Sequence, residues 1–468
     1  MQPEYTAGRC ASKLRMALWL VSLAALVASP AALATNGYFN HGMGTKNKAM
    51  GGAGIALPDE AMAIVNNPAV ATRVSGRSEI GLAFFKPRSN YASGPSTLNG
   101  QDGSFTIGPQ AIDAETQVMM VPYWSRVWEM DSDSAFGTAL YMRSGINTRY
   151  TGGTATFDPD GDGPMGIVTQ PGTFGDGDAS WRLFQTMLDL SYAKDIGDDL
   201  SWGVAAVLAT QRFKAEGLAN FAPLTETYAA SGGTTMPENL SGNGNDHSYG
   251  AGLKMGLHWQ WTPKVSVGLM LQTPIYMTRF SDYSDLFPGG GDFDIPANIK
   301  LGLSWRIWDP VVFSVDIDHI FYSKIDALGN SLQEMQMNCP TAGQDGTDLS
   351  SCLGGSNGGG LGWDDVTVYK FGLHWKITDK WTFLGGFSVT NQPIPIEEIT
   401  NNLLTPYMAE AHYTFGFTRE FNKGHELTMA FMYNEEESLH YPNAYDPTQE
   451  LDLESDQFEV EISYGWRF

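Results

Sequence analysis

The chain ends in the stretch QFEVEISYGWRF (residues 457–468), in which two kinds of side chain alternate. One face carries apolar and aromatic residues, namely Val460, Ile462, Tyr464, Trp466 and Phe468. The other face carries Glu459, Glu461, Ser463, Gly465 and Arg467. A period of two over this length predicts a β-strand with one face against an apolar environment.

The same alternation recurs from about residue 78 onward, for example in Leu253–Trp261, Ile299–Ile307 and Tyr369–Ile377. It predicts 14 strands, near 78–91, 117–128, 134–149, 181–195, 199–215, 246–261, 264–279, 297–308, 311–323, 363–376, 379–391, 409–421, 424–435 and 455–468. Short turns alternate with long loops, and the long loops are 92–116, 150–180, 216–245, 280–296, 324–362, 392–408 and 436–454. A β-sandwich has no reason to sort its loops in this way. The pattern therefore predicts an all-β fold, an antiparallel transmembrane β-barrel of 14 strands with long extracellular loops over residues 78–468.

Two further patterns agree with a barrel in a membrane. Tryptophans lie beside the predicted short turns, as in an interfacial girdle; they are Trp128, Trp202, Trp259, Trp261, Trp305, Trp308, Trp375 and Trp381. The aromatic last strand ends in Phe468, which resembles the signal read by the barrel-assembly machinery of Gram-negative bacteria. We therefore expect a monomeric barrel in the outer membrane, in contact with outer-membrane lipid and lipopolysaccharide.

Charge and cysteine content restrict the classes of function. The net charge is −24 and the sequence has no basic cluster, so nucleic acid is not an expected partner. Residues 1–34 predict a signal peptide, with an apolar core at 16–28 and a cleavage site at 32–34, and an N-terminal anchor helix is the alternative. The stretch before the apolar core is long and contains Glu4, so translation could start at Met16 instead of Met1. Cys339 and Cys352 then remain, 13 positions apart, and predict a disulfide in an oxidising compartment.

Residues 35–77 precede the barrel and lack the alternation. They are rich in glycine and small residues and poor in charge. A barrel of this size has a lumen too wide for its own wall side chains to fill, so wide barrels are open or plugged. We expect the segment to fold into the lumen as a plug, because a solvated periplasmic tail would carry more charge.

The stretch GMGTKNKAMGGAGIALPDEAMAIVNNPAVAT (residues 42–72) resembles the hatch of the FadL/TodX family of outer-membrane transporters for long-chain fatty acids and other hydrophobic compounds. The resemblance rests on a glycine-rich start, on Asp59-Glu60-Ala61 and on the hatch motif Asn67-Pro68-Ala69. The stretches IPANIKLGLSWRI (295–307) and NQPIPIEEI (391–399) agree with it. The resemblance covers essentially the whole mature chain.

The resemblance implies a mechanism of passive uptake. Extracellular loops capture a hydrophobic molecule, which passes to a pocket near the mature N-terminus, here Thr35, Asn36, Gly37 and Phe39. The hatch rearranges, and an inward kink in the third strand releases the ligand sideways into the membrane. In that strand Gly137 and Gly145 are candidates for the kink, although ordinary barrel glycines are an equal alternative.

The predicted function is uptake of hydrophobic small molecules, with long-chain fatty acids first and aromatic or alkane hydrocarbons as the alternative. A diffusion porin for hydrophilic solutes and a surface adhesin with acidic loops are the competing classes. Enzymatic activity is not expected, since the scattered histidines form no catalytic motif. No cofactor is expected beyond a calcium candidate at Asp158, Asp160 and Asp162, for which the bidentate glutamate of a calcium loop is missing and a solvated acidic loop is the alternative.

Overall fold

A computed structural model describes residues 36–115, 117–158, 166–341, 346–408 and 410–468. The wall is one closed antiparallel barrel of 14 strands, as the sequence predicts. The strands are β1 Arg77–Ser93, β2 Met119–Asp131, β3 Ser134–Tyr150, β4 Ala179–Ile196, β5 Leu200–Glu216, β6 Asp246–Thr262, β7 Val265–Gln272, β8 Asn298–Trp308, β9 Val311–Ile320, β10 Val366–Lys376, β11 Trp381–Val389, β12 Ala411–Glu420, β13 His425–Asn443 and β14 Asp446–Arg467.

The first and last strands close the barrel. They pair without interruption from Arg77 opposite Arg467 to Ser93 opposite Leu451. The alternation in the last strand has the predicted orientation: Glu459 and Glu461 are buried in the lumen, whereas Phe458 and Tyr464 are exposed on the outer surface. Closure leaves no open sheet edge, because unpaired backbone N–H and C=O groups find no water to bond to in hydrocarbon.

The outer surface carries the apolar band of a membrane protein. On β6, for example, Leu253, Met255, Leu257 and Trp259 are each about half exposed. Trp261, Trp305, Trp375 and Trp381 are also exposed near the short turns, where an aromatic girdle is expected.

The predicted long loop at 436–454 is wrong. β13 and β14 continue outward as one hairpin and turn only between Asn443 and Asp446. The inward face of this outer part still carries the buried Leu451 and Leu453, but its outward face carries Glu450, Asp452 and Glu454 in place of the lipid-facing apolar side chains of the strands inside the membrane. Its strands are held by backbone pairing and by polar contacts such as His440 with Asp452, 2.6 Å apart.

The loops at the other connections contain short elements. Additional strands are Thr106–Ile107, Gln110–Asp113, Thr154–Phe157, Val168–Pro171 and Tyr276–Met277. Helices α1 to α7 are Thr45–Ala49, Ala63–Asn66, Glu226–Ala230, Pro288–Gly291, Asp326–Gly329, Leu332–Asn338 and Ile399–Asn402. The 3₁₀ turns are Pro68–Arg73, Ala219–Leu224, Ser281–Tyr283, Tyr322–Lys324, Leu349–Ser351, Ile396–Glu398 and Asn422–Gly424. Within the described residues, none of the helices has the length and apolar character to cross a membrane.

The N-terminal segment (residues 36–76) lies inside the barrel and contains α1, α2 and the turn Pro68–Arg73. Its backbone fits against glycines of the wall, at which an added Cβ would lie within 3 Å of the segment. These glycines are Gly137, Gly203, Gly256, Gly268, Gly302, Gly372, Gly386 and Gly416. The small residues that alternate with aromatics in the strands therefore make room for the segment.

A single wall glycine tests this packing. In Gly386→Val the new Cβ would lie 2.0 Å from the carbonyl carbon of Met50, so we expect the segment to be displaced and ion conductance in planar bilayers to rise. Gly385→Val is the matched control, because Gly385 faces outward and meets only the side chain of Phe383 at 3.3 Å. Equal conductance of the two variants would contradict the packing.

Candidate functional site: a closed pocket beside a gap in the wall

Two lysines of α1 anchor the N-terminal segment to the last two strands. Lys48 Nζ lies 2.7 Å from a carboxylate oxygen of Glu459 and 2.8 Å from one of Glu461. Lys46 Nζ lies 3.0 Å from Glu426. Burial opposes the charge on Lys48, but the two glutamates outweigh it and raise the pKa of its amine above the usual value, so Lys48 stays charged. Inward-facing glutamates of the last two strands thus hold the segment that precedes the first strand.

The predicted hatch motif lies against β5 and β6. The Asn67 side chain caps the turn Pro68–Arg73 by accepting the Ala69 N–H at 3.0 Å, and its Nδ2 donates to the Leu257 carbonyl at 3.0 Å. Pro68 starts the turn, for which its fixed φ is suited. Gly256 leaves the space that Asn67 Oδ1 occupies. The motif therefore joins the segment to the wall by hydrogen bonds to the backbone.

Strand β3 leaves its neighbour near the middle of the wall. Its pairing with β2 runs from the short turn to Tyr141, opposite Tyr123, and its register with β4 shifts between Met142 and Ser144. The carbonyls of β3 beyond this point bond inward instead. Asn40 donates to those of Met142 at 3.1 Å and Arg143 at 3.4 Å.

A gap thus opens between β2 and β3. Its location differs from Gly137, which was one of the two candidates for the kink. The register shift includes Arg143, while Gly137 stays paired with Val127 and Ser191 on either side. Gly137 instead gives space to Ile64 of α2, because a Cβ there would lie 2.8 Å from its side chain. Gly145 lies within the gap, where its carbonyl accepts the Tyr407 hydroxyl at 2.8 Å.

A small pocket lies directly behind the gap. It is lined mainly by apolar side chains, which are Phe39, Phe85, Met119, Val121, Met142, Phe184, Tyr407 and Met432. Its volume is about 30 Å³, the space of one water molecule. The N-terminal segment fills most of the space, so in this state the pocket is closed.

Residues from the start of the mature chain close the pocket. Tyr38 and Phe39 are buried and their rings lie 5.6 Å from that of Tyr322. The Tyr322 hydroxyl donates to the Asn36 carbonyl, and Gly37 adopts a left-handed φ of +60° beside the same ring. Thr35 lies outside the described residues. The structure thus places Asn36, Gly37 and Phe39 together at one aromatic cluster.

Arg143 is a candidate site residue that sequence reasoning missed. Its side chain is only 4% exposed, its guanidinium lies 3.9 Å from the centre of the Phe39 ring, and it donates weakly to Asn298 at 3.5 Å. Among the described residues no carboxylate oxygen lies within 4 Å of it, although nearby lysines have such partners: Lys254 with Asp189 at 2.6 Å and Lys370 with Asp318 at 3.1 Å. The sequence did contain a signal for this residue: Arg143 lies in the middle of a predicted membrane strand, where charged residues are rare and often functional.

The opposite side of the N-terminal segment has a different chemistry. A cavity of about 370 Å³ lies there, toward the short turns. Ionisable side chains dominate its lining, which includes Lys46, Asp59, Arg77, Glu79, His374, Lys376, Glu420 and Glu426. The segment therefore separates an apolar pocket from a polar vestibule.

The outer loops contain a second apolar cavity of about 80 Å³. Its lining includes Phe174, Trp181, Phe221, Phe287, Leu332, Met335 and Leu353. Cys339 and Cys352 form a disulfide with their Cα atoms 4.9 Å apart, and both sulfurs belong to residues packed with Leu332 and Met335. The disulfide thus joins two loop segments that border the cavity.

The calcium candidate falls mostly outside the described residues. Asp158 is described, but Asp160 and Asp162 are not. The part of the chain that the structure describes contains no group of three or more His, Cys, Asp or Glu side chains suited to a metal ion.

Solved structures share this architecture. The toluene transporter TodX of P. putida aligns with 92% of this chain and 99% of its own, at 18% identity and a TM-score of 0.62. The chain has the FadL/TodX fold. A Pseudomonas aeruginosa FadL homologue aligns with 92% of this chain and 100% of its own, at 15% identity and a TM-score of 0.62, and the toluene transporter TbuX of Ralstonia pickettii with 92% and 99%, at 16% and 0.56.

At these identities the likeness concerns the fold alone. No protein-family model matches the sequence, and a comparison with curated proteins gives no match.

Removing one anchoring lysine should release the N-terminal segment. Lys48→Met leaves Glu459 and Glu461 buried without a cation, a defect that typically costs about 3–5 kcal/mol. We expect faster hydrogen–deuterium exchange across residues 36–76, with exchange in the barrel strands unchanged. Lys380→Met, in an exposed short turn, is the control and should exchange as the wild type does.

Adding Glu459→Gln and Glu461→Gln to Lys48→Met removes the unpaired charges and should restore slow exchange in part. If Lys48→Met alone exchanges at the wild-type rate, the ion pairs do not hold the segment.

Proposed function

We propose that the protein takes up hydrophobic small molecules through the outer membrane, and that its ligand is a long-chain fatty acid. The observation that carries the proposal is the closed, mainly apolar pocket behind the β2–β3 gap, together with the buried guanidinium of Arg143, which lies against Phe39 of the pocket lining and has no carboxylate within 4 Å among the described residues. An acyl chain suits the apolar lining and a carboxylate suits the arginine.

The path begins at the outer loops. The apolar cavity bordered by the disulfide is the first binding site for a hydrophobic molecule outside the membrane. From there the ligand reaches the pocket, where it displaces Tyr38 and Phe39. Each CH₂ group that leaves water contributes about 0.8 kcal/mol, so apolar surfaces along the route favour the bound ligand over the ligand in water.

The exit is sideways through the gap. Continuing toward the short turns would take an acyl chain into a vestibule lined by charged side chains, where its apolar surface would be exposed to water again. The gap between β2 and β3 instead leads from the pocket into hydrocarbon. Rearrangement of the N-terminal segment, which we propose acts as the hatch, frees the pocket and the carbonyls that Asn40 holds.

A diffusion porin fits these observations poorly. Such a channel needs a continuous water-filled lumen, whereas here the N-terminal segment packs against wall glycines on eight strands and buries its ion pairs. Neutral hydrocarbons are the second candidate, since TodX and TbuX are named as toluene transporters. Only the fatty acid has a carboxylate that Arg143 could bind, so this residue distinguishes the two ligand classes.

The substitution Arg143→Met distinguishes a fatty acid ligand from a neutral hydrocarbon. The loss of a charge-assisted contact, about 1.5–3 kcal/mol, should weaken oleate binding to the purified barrel by roughly tenfold or more. Toluene binding, measured on the same samples by calorimetry, should stay within about twofold, because the apolar lining is unchanged. Arg143→Lys is the matched control and should retain part of the oleate affinity.

Equal oleate affinity of wild type and Arg143→Met, with tight toluene binding by both, would replace the fatty acid by a neutral hydrocarbon. Absence of binding of both ligands by the wild type, together with a large steady ion conductance, would overturn hydrophobic uptake itself.

A further inference from the structure

Four basic side chains lie on the outside of the wall where β3, β4 and β5 reach the long loops: Arg149, Arg182, Arg212 and Lys214. Their neighbours in sequence point the other way, because Trp181, Gln211 and Phe213 are buried in the lumen. The four therefore face outward. They stand out in a chain whose net charge is −24.

Two of these cations are neutralised within the protein. Arg149 lies 2.8 Å from Asp178 and 3.6 Å from Glu115, and Lys214 lies 2.5 Å from Glu216. Arg182 and Arg212 have no carboxylate oxygen within 4 Å in the described ranges of the chain. The Nε of Arg182 is moreover buried without a hydrogen-bond partner.

Arg182 and Arg212 share a groove of about 360 Å³. Its other walls are Gln117, Asn147, Phe184 and Asn245. The register places Asn147 opposite Arg182 and Phe184 opposite Arg212, whose guanidinium lies 5.2 Å from the Phe184 ring. Two guanidinium groups and amide side chains thus face one outward concavity.

The groove lies at the depth of lipid headgroups. Arg212 is opposite His247, two residues beyond the exposed Tyr249 on β6. Tyr249 and Trp259 bound the apolar band on that strand, and at about 3.3 Å per residue with a tilt near 40° they are roughly 25 Å apart along the membrane normal. The arginines therefore sit just outside the hydrocarbon on the long-loop side.

We propose that this groove binds a phosphate of lipid A, the anchor of lipopolysaccharide in the outer leaflet. Guanidinium groups bind phosphate oxygens in a bidentate manner, and the amides of Asn147 and Gln117 add donors for the remaining oxygens. Acyl chains of the lipid lie along the apolar wall below Phe184. This site rests on the proposed outer-membrane location but not on the identity of the transported ligand.

The site also adjoins the proposed exit. Phe184 and Gly145 line the pocket behind the β2–β3 gap, and Phe184 lines the groove as well. A lipid held by Arg182 and Arg212 therefore stands beside the gap.

Native mass spectrometry of the full-length mature protein in detergent, with added lipid A, tests the site. The wild type should retain one lipid A more tightly than Arg182→Ala/Arg212→Ala by roughly tenfold. Arg306→Ala is the matched control: Arg306 is exposed at the short-turn end, so its loss should leave retention unchanged. Arg182→Lys/Arg212→Lys, which keeps both charges, should retain an intermediate amount.

Three arms decide the identity of the ligand. Dephosphorylated lipid A should bind the wild type as weakly as phosphorylated lipid A binds the double alanine variant; equal binding of the two lipids by the wild type would overturn the site. Inorganic phosphate alone should not bind measurably, and phosphate binding as tight as that of lipid A would overturn the assignment to a lipid. Displacement of lipid A by equimolar oleate would likewise overturn it.

The two proposals fail separately. Oleate binding, measured in parallel, should be the same in the wild type and in Arg182→Ala/Arg212→Ala. Lipid A retention with no oleate binding would refute the transport proposal and support the groove. Oleate binding with lipid A retention unaffected by the double substitution would refute the groove alone.

Discussion

In hydrocarbon every backbone N–H and C=O group of a sheet must be paired within the protein, and this constraint organises the molecule. The pairing of β14 with β1 closes the barrel and removes its edges. Between β2 and β3 the wall pairing stops at Tyr123 and Tyr141, and there the N-terminal segment supplies donors in place of a neighbouring strand. The gap is thus maintained by the same segment that fills the pocket behind it.

Buried charges in the lumen likewise need partners within the protein. Lys48, Lys254 and Lys370 each have carboxylate partners, which makes their burial tolerable. Arg143 lacks such a partner within the described residues, and it lies at the bulge of β3 where the wall departs from regular pairing. A buried guanidinium next to an apolar pocket is costly for the empty protein. An acidic ligand would relieve that cost, which links the local backbone irregularity to the chemistry of the ligand.

The sequence predicted the barrel well because each strand in the membrane alternates between lipid and lumen. The hairpin of β13 and β14 beyond the membrane escaped prediction, since its outward face is acidic instead of apolar, although its inward face still buries Leu451 and Leu453. The anchors of the N-terminal segment also escaped prediction: Lys48 and Glu459 are 411 residues apart, and only closure of the barrel brings them together. Gly137 and Gly145 were candidates for a kink, with ordinary barrel glycines as the equal alternative; at Gly137 the absent side chain makes room for Ile64, and the register shift lies at Arg143, two residues before Gly145.

In the proposed uptake, Arg143 first holds the carboxylate of the fatty acid, and the ligand then leaves through the wall between β2 and β3. A crystal structure of the protein with a fatty acid brominated along its chain tests this directly. We expect anomalous peaks that run from the region of Arg143 through the gap beside Met119 and Gly145 to the outer surface. Peaks in the polar vestibule near Asp59 and His374, on the far side of the N-terminal segment, would contradict it.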